Sequence, residues 1–319
     1  MRAAVHRRFG GPEVVSAQEV PEPEPTGDQV LVRVLASTVS ASDAAARSGT
    51  PWFARLAFGP LRPRITVLGS DFAGRVARVG PDARRFAVGD LVFGATNAAM
   101  GAHAQYIAVS EAAPVEPVPE AVEPEHAAAL VDATAMSFLY ETADLRPGRR
   151  LLVNGASGAV GSAAVQLAKH RGAHVTGTSS ARNLDFVRSL GADAALDHAA
   201  PLTAAEPYDV VFDAYGRLGY RRARRVLAAD GLYMTTVPSF AILLQSLWTR
   251  LFGRRRAAIA FTGLRPADRV AADLRRTADL AARGVLTAPV DAVYPLDRVA
   301  DAHRHVERGK RGHVVLSLE

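Results

Sequence analysis

Cysteine is absent from the 319 residues. That absence excludes disulfides, Cys-ligated zinc and a cysteine nucleophile. Lysine is nearly absent as well: Lys169 and Lys310 are the only two, so the positive charge is almost all arginine. That skew, with abundant alanine, reads as coding bias. Long apolar runs are lacking. No stretch approaches ~18 uninterrupted apolar residues, so no membrane-spanning helix is expected. The first residues, MRAAVHRRFG, show no apolar signal-peptide core, and a cytoplasmic location is expected. The 9 histidines form no HExxH pattern and read as surface or core residues, so no metal is expected.

Apolar residues make up 49% and charged residues 22% of the chain. This is the composition of a soluble globular protein with one large or two ordinary domains and ample core. The net charge is +6. Basic residues are spread along the chain, with local runs at 221–225 and 254–256 that lack interleaved aromatics. Nucleic acid is therefore not an expected partner.

Residues 151–182, LLVNGASGAVGSAAVQLAKHRGAHVTGTSSAR, organise the rest. An apolar run precedes Gly155, Gly158 and Gly161; helical spacing follows, then a second strand. In this βαβ pattern one glycine allows the tight turn, one lets backbone approach a pyrophosphate, and one lets helix pack on strand. The turn Gly155, Ala156, Ser157, Gly158, Ala159, Val160 is thus expected to bind a dinucleotide, its phosphates facing the helix N-terminus. At the end of the second strand an NAD site usually carries Asp or Glu. Here stand Thr178, Ser179, Ser180 and Arg182, which suit a 2′-phosphate, and NADPH is the expected cofactor. The plainer reading is a capping serine followed by a solvated arginine.

Before this unit, short β segments with glycine punctuation indicate a β-rich, barrel-like domain: 1–5, 14–20, 29–39, 66–68, 72–79, 91–93 and 104–109. A short helix follows Ser40, and residues 52–62 read as a loop. Residues 113–124 are rich in Pro and Glu and mark a boundary. A helix is expected over 125–144. Helices and strands then alternate to the C-terminus, with helices at 183–190, 221–228, 266–283 and 296–307. The fold class is α/β, with a doubly wound parallel sheet beside the barrel.

These pieces resemble the medium-chain dehydrogenase/reductase superfamily, in its zinc-free quinone oxidoreductase (zeta-crystallin-like) branch. The resemblance rests on LGSDFAG at 68–74, VGD at 88–90, GAHAQY at 101–106 and LRPG at 145–148. It continues with the glycine turn and AVQLAK at 164–169, LGAD at 190–193, YDVVFD at 208–213, VYPL at 293–296 and KRGHVVL at 310–316. It implies a GroES-like β-barrel domain over 1–122 with 289–319, and a Rossmann NADPH-binding domain over 123–288. Nicotinamide and substrate would share the cleft between them. Without zinc to polarise an oxygen, it implies hydride delivery to a quinone or an α,β-unsaturated carbonyl. A zinc-free alcohol dehydrogenase-like enzyme is one alternative. Another is an NADPH-binding protein of low turnover acting through protein or membrane-surface contacts.

The resemblance also assigns residues. Ser40, in SASD at 40–43, occupies the position of a family Asn that faces the nicotinamide; its other reading is a helix cap. Asp43 reads as structural, paired with an arginine. Thr134 matches a threonine near the nicotinamide. Ala214, Tyr215 and Gly216 form the loop whose backbone passes beneath the cofactor. Asn183 fits the 2′-phosphate loop, and His198 stands where relatives often have Tyr near the adenosine phosphate. Relatives commonly dimerise through the Rossmann domain, so a homodimer is expected. The apolar stretch 239–256 ends in three arginines. It reads first as a lid using Phe240, Leu244 and Trp248, then as a dimer contact, then as a peripheral membrane contact.

Overall fold

The computed structural model describes residues 1–50, 55, 58–96, 99–120, 122–131, 134–262 and 265–318. Residues 52–54, 56 and 57 of the expected loop, and Asp132 and Ala133, lie outside the described residues. The chain divides into two compact units: Met1–Asp132 with Gly263–Glu319, and Ala133–Thr262.

The first unit is built around β3 (Gln29–Val39), eleven residues long and nearly all buried. One edge of β3 pairs antiparallel with β4 (Asp71–Val79). Its other edge is shared: residues 29–33 pair with β6 (Tyr106–Ser110), and residues 36–39 with β15 (His313–Ser317). Outward lie β5 (Leu91–Ala95) and β7 (Val115–Pro117) beyond β4, and β14 (Val290–Pro295) beside β15. A separate ribbon pairs β1 (Arg2–Val5) with β2 (Ser16–Glu19). The strand expected at 66–68 is reduced to a single bridge between Val67 and Val5. Val32, Phe72, Val92, Val314 and Leu316 lie in one core, the period-2 pattern turned inward.

Helix α1 (Ala41–Ser48) follows β3 directly, and α2 (Pro124–Leu130) buries Ala127, Ala128, Ala129 and Leu130 while packing on β3 and β4. Small alanines let a helix approach a sheet closely. The helix expected over 125–144 is instead α2, a turn Thr134–Met136, and a π-helical segment Ser137–Thr142. In the π segment Ala143 N–H donates to Phe138 O (2.9 Å), and Phe138 stacks on Phe212 with ring centroids 4.9 Å apart. The units part elsewhere than at 122 and 288. Helix α2 packs on the first sheet, and Arg275 of the helix Ala267–Ala282 bonds Glu116 Oε1 of β7 (2.7 Å). Both helices therefore belong to the first unit.

The second unit carries a six-stranded, all-parallel sheet. It comprises β8 (Arg150–Asn154), β9 (His174–Ser179), β10 (Ala194–Asp197), β11 (Tyr208–Asp213), β12 (Leu227–Thr235) and β13 (Arg256–Ile259). Their order is β10-β9-β8-β11-β12-β13. The order reverses between β8 and β11, so the carboxyl ends of these two strands flank a switch point where doubly wound sheets bind ligands. Helix α3 (Ala159–His170) joins β8 to β9, α4 (Leu184–Ser189) precedes β10, α5 (Tyr220–Ala223) precedes β12, and α6 (Phe240–Phe252) precedes β13. Helix α7 (Ala267–Ala282) and α8 (Val299–Arg308) return the chain to the first unit. Among the described residues no helix is long and apolar enough to cross a membrane.

Candidate nucleotide site and its surroundings

The glycine turn after β8 separates into two kinds of glycine. Gly155 adopts φ +82°, and a Cβ there would also meet the Tyr215 side chain at 2.8 Å. A Cβ on Gly161 would stand 2.0 Å from Gly155 O, which a side chain cannot do. The fold itself demands these two. Gly158 differs: its φ is −79°, and its Cβ would find only an ordinary contact, 3.5 Å to Gly155 O. Nothing in the protein requires glycine at 158, and open space in front of it suits a ligand backbone. Gly158 also starts α3 with no side-chain cap, leaving first-turn N–H groups available to an anion. The turn thus fits a dinucleotide's pyrophosphate. Ala156 and Ser157 are buried, whereas Gly158, Ala159 and Val160 are half-exposed.

Around the second strand, Ser179 turns inward. It is buried, and its hydroxyl donates to Ser157 Oγ at 2.6 Å, which Asn183 Nδ2 also reaches at 3.3 Å. Ser157, Ser179 and Asn183 therefore pin the glycine turn to the end of β9. Ser180 is half-exposed and Arg182 exposed, with no protein carboxylate paired to it among the described residues. His198 lies at the end of β10, its N–H bonded to Ser179 O (2.8 Å) and its ring exposed 3.7 Å from Asp197 Oδ1.

At the switch point stands a feature that the motif reading underused. Asp213 is fully buried and accepts from Asn154 Nδ2 (2.7 Å), Gly216 N (2.8 Å), Leu218 N (2.9 Å), Gly219 N (3.3 Å) and Tyr233 Oη (3.0 Å). Thr178 Oγ1 donates to Asn154 Oδ1 at 2.7 Å, so three strand ends are tied in a row. A buried carboxylate needs such donors. Burial, then the Asp213 charge, pushes the Tyr233 hydroxyl's pKa upward. The loop of Ala214, Tyr215 and Gly216 is shaped by these bonds, with Gly216 at φ +77°. The signal for Asn154 was present: it is a polar residue ending the apolar strand before the turn.

Ser40 lies in the first unit and Thr134 in the second. Ser40 caps α1: its Oγ accepts from Asp43 N (3.2 Å) and donates to Asp43 Oδ2 (2.6 Å), while its own N–H donates to the same oxygen (2.8 Å). This is a complete capping box. Asp43 is buried, and its other oxygen accepts from Gly69 N at 2.9 Å. The arginine expected beside it has a different partner. Arg47, one turn on and also buried, pairs with Glu307 of α8 and donates to Gly10 O at 3.2 Å. His103 bonds Thr38 O at 2.8 Å, and its ring centroid lies 6.3 Å from that of His303. Burial, reinforced by His103, pushes the His303 pKa down to about 3. Thr134 is half-exposed at the start of its helical turn.

Helix α6 follows β12, with Ile242 and Thr249 buried among its residues. A pocket of about 260 Å³ lies between the 216–222 loop and α6, lined on the helix side by Ala241, Ile242 and Gln245. The proposed lid side chains Phe240, Leu244 and Trp248 are exposed and do not line it. Among the described residues no group of three His, Asp or Glu side chains is arranged to hold a metal ion.

Comparison with known proteins finds two family models. The alcohol dehydrogenase GroES-like domain matches residues 26–120, and the model described as zinc-binding dehydrogenase matches 190–316. A chloroplastic quinone-oxidoreductase homolog of Spinacia oleracea is 31% identical over 315 residues, covering 94% of this chain and 92% of the relative. A chloroplastic NADPH-dependent alkenal/one oxidoreductase of Arabidopsis thaliana is 32% identical, covering 77% of this chain and 66% of the relative. The solved quinone oxidoreductase of Coxiella burnetii superposes with a TM-score of 0.89 at 26% identity, covering 100% of this chain and 99% of that one.

Proposed function

The chain belongs to the medium-chain dehydrogenase/reductase superfamily, in its quinone oxidoreductase branch. From that premise we propose that it is an NADPH-dependent, zinc-independent oxidoreductase acting on a quinone or an α,β-unsaturated carbonyl. The end of β9 carries the cofactor reading. Ser180 and the exposed Arg182 stand there, and residues 178–183 contain no acid. A guanidinium grips a phosphate with parallel charge-assisted bonds, whereas a ribose 2′-hydroxyl asks for a carboxylate. The Arabidopsis relative is itself named as NADPH-dependent and as acting on alkenals and alkenones, which supports both halves of the proposal.

When bound, the dinucleotide supplies the hydride. The chain's part is to hold it. The N–H groups of Gly158, Ala159 and Val160 would hold its pyrophosphate. Ser157, Ser179 and Asn183 keep that turn in place. Asp213 fixes the loop whose backbone at Ala214, Tyr215 and Gly216 would support it; Arg182 would neutralise its phosphate, and His198 is held at the end of β10 by its backbone bond to Ser179. Thr134 supplies a hydroxyl to the reacting region. A quinone or enone is already electrophilic at carbon, so its reduction needs no Lewis acid, and the enolate formed takes its proton from water, at the α-carbon of an enone or, after tautomerisation, at the oxygens of a quinone. The chain has no cysteine to ligate zinc. A second reading, an NADPH-binding protein of low turnover, is favoured by one observation: the Ser40 hydroxyl is already committed to Asp43.

Stopped-flow oxidation of NADPH against a panel of quinones and short enals tests the proposal. Multiple turnovers, unchanged by a metal chelator, are expected. Tight NADPH binding with no oxidation by any acceptor would replace it with the second reading.

A further inference from the structure

Helix α6 is amphipathic with its apolar side outward. Its only buried residues are Ile242 and Thr249. Ile242 enters the core of the second unit, and Thr249 Oγ1 accepts from Ala257 N of β13 at 2.9 Å. Phe240, Leu244, Leu247, Trp248, Leu251 and Phe252 lie at helical spacing, 59–75% exposed, and so form one continuous stripe. Trp248 and Phe252 pack against each other on that stripe, centroids 4.7 Å apart and ring planes tilted by 44°. A stripe of six large apolar side chains facing water marks a contact surface.

Charge identifies the occupant. Residues 214–262 hold nine arginines and one acid, Asp230, a net charge of +8. The whole chain carries +6, so everything outside this segment is net negative. Asp230 is taken by Arg254, at 3.0 Å. Arg221, Arg222 and Arg250 are exposed and have no carboxylate partner among the described residues. Arg250 is on α6 itself. Arg221 and Arg222 line the same pocket as Ala241 and Gln245 of α6, which places them beside it. A second copy docked through this face would bring three unpaired arginines, Arg221, Arg222 and Arg250, against three more. We propose that α6 and its flanking arginines dock the protein on a membrane surface carrying anionic headgroups. The apolar stripe enters the acyl boundary and the arginines meet the phosphates.

The chain has two tryptophans, so a Trp52→Phe background leaves Trp248 as the reporter. Vesicles of phosphatidylcholine alone are compared with vesicles that also contain phosphatidylserine. On the anionic vesicles, pelleting, a blue shift of Trp248 emission and quenching by bromine-labelled acyl chains are all expected. On the neutral vesicles, binding is expected to be weak. The double change Arg221→Glu with Arg222→Glu leaves the apolar stripe intact and is expected to weaken partitioning about tenfold or more. Leu244→Ser with Trp248→Ser, followed by pelleting alone, is expected to do the same; unchanged far-ultraviolet circular dichroism checks that both variants fold. Equal affinity for both vesicle types, or no quenching by labelled lipid, would overturn the proposal. So would a dimer that shields Trp248 and is broken by Leu244→Ser with Trp248→Ser, or retention on RNA without retention on vesicles.

Discussion

A serine hydroxyl has one proton to donate, and that of Ser40 goes to Asp43 Oδ2. The sequence allowed two roles for this residue, because a serine after a strand and before a helix reads the same as a cap or as a donor. The bond to Asp43 makes Ser40 the cap of α1, and we propose that this is its role. Ser40→Ala is expected to cost about 1 kcal/mol of stability through the lost cap, measured by urea unfolding. It is expected to leave kcat within a few-fold, since losing a donor to a developing oxyanion would lower kcat by about 10²–10³. A drop of that size at unchanged stability would restore the catalytic role. Arg182 pairs with no carboxylate among the described residues; Asp185, three residues on, is taken by Arg188 instead. The Ser179 hydroxyl was misplaced because the end of a strand does not reveal which of two consecutive serines turns inward.

Among the elements, the βαβ unit was the most legible, since its glycines answer to steric demands that hold in any fold of this kind. The structure divides those demands. Gly161→Ala is expected to destabilise strongly, because its Cβ would meet Gly155 O at 2.0 Å. Gly158→Ala is expected to retain the thermal unfolding midpoint while weakening dinucleotide binding at least about tenfold. Differential scanning fluorimetry with and without NADPH separates the two. Loss of the fold in Gly158→Ala would remove the argument that its bareness serves a ligand. Helix α6 was legible as an apolar helix but not in its direction. Periodicity reports that a stripe exists, not whether core, second copy or lipid covers it. Residues 125–144 read as one helix because a π turn has no signature in apolar spacing.

At the scale of the molecule, the alternation of α and β located the parallel sheet, and the early glycine-punctuated strands located the other unit. The boundaries were less legible because α2 and α7 have helical patterns of the kind found in the nucleotide-binding half but pack on the sheet of the other. What no pattern could show is the buried polar group of the first unit: His6, Asp43 with Arg47, His103 and His303 come from four separate stretches. It makes the fold sensitive to acid. The His303 pKa is lowered from its ordinary 6.5 to about 3 by burial, then by His103, against the pull of Asp43; burial also lowers His6, and brings His313 to about 3. A histidine held neutral in the fold but protonated when unfolded gives stability that is complete above pH 6.5. That stability is lost as pH falls toward the folded value, by up to about 1.4 kcal/mol per pH unit for each proton. Urea unfolding between pH 7 and about 5, above the carboxylate range, is expected to show this fall, and His303→Leu to flatten it by about one proton. Stability that rises on acidification in this window would contradict the assignment of neutral buried histidines.

The central claim is that the free guanidinium at the end of β9 selects the cofactor, and parallel titrations of the protein with NADPH and NADH test it directly. A charge-assisted phosphate contact predicts NADPH to bind about ten to a hundred times more tightly, with the preference erased in Arg182→Leu and NADH affinity unchanged. NADH binding as tightly as NADPH, or a preference that survives Arg182→Leu, would contradict it.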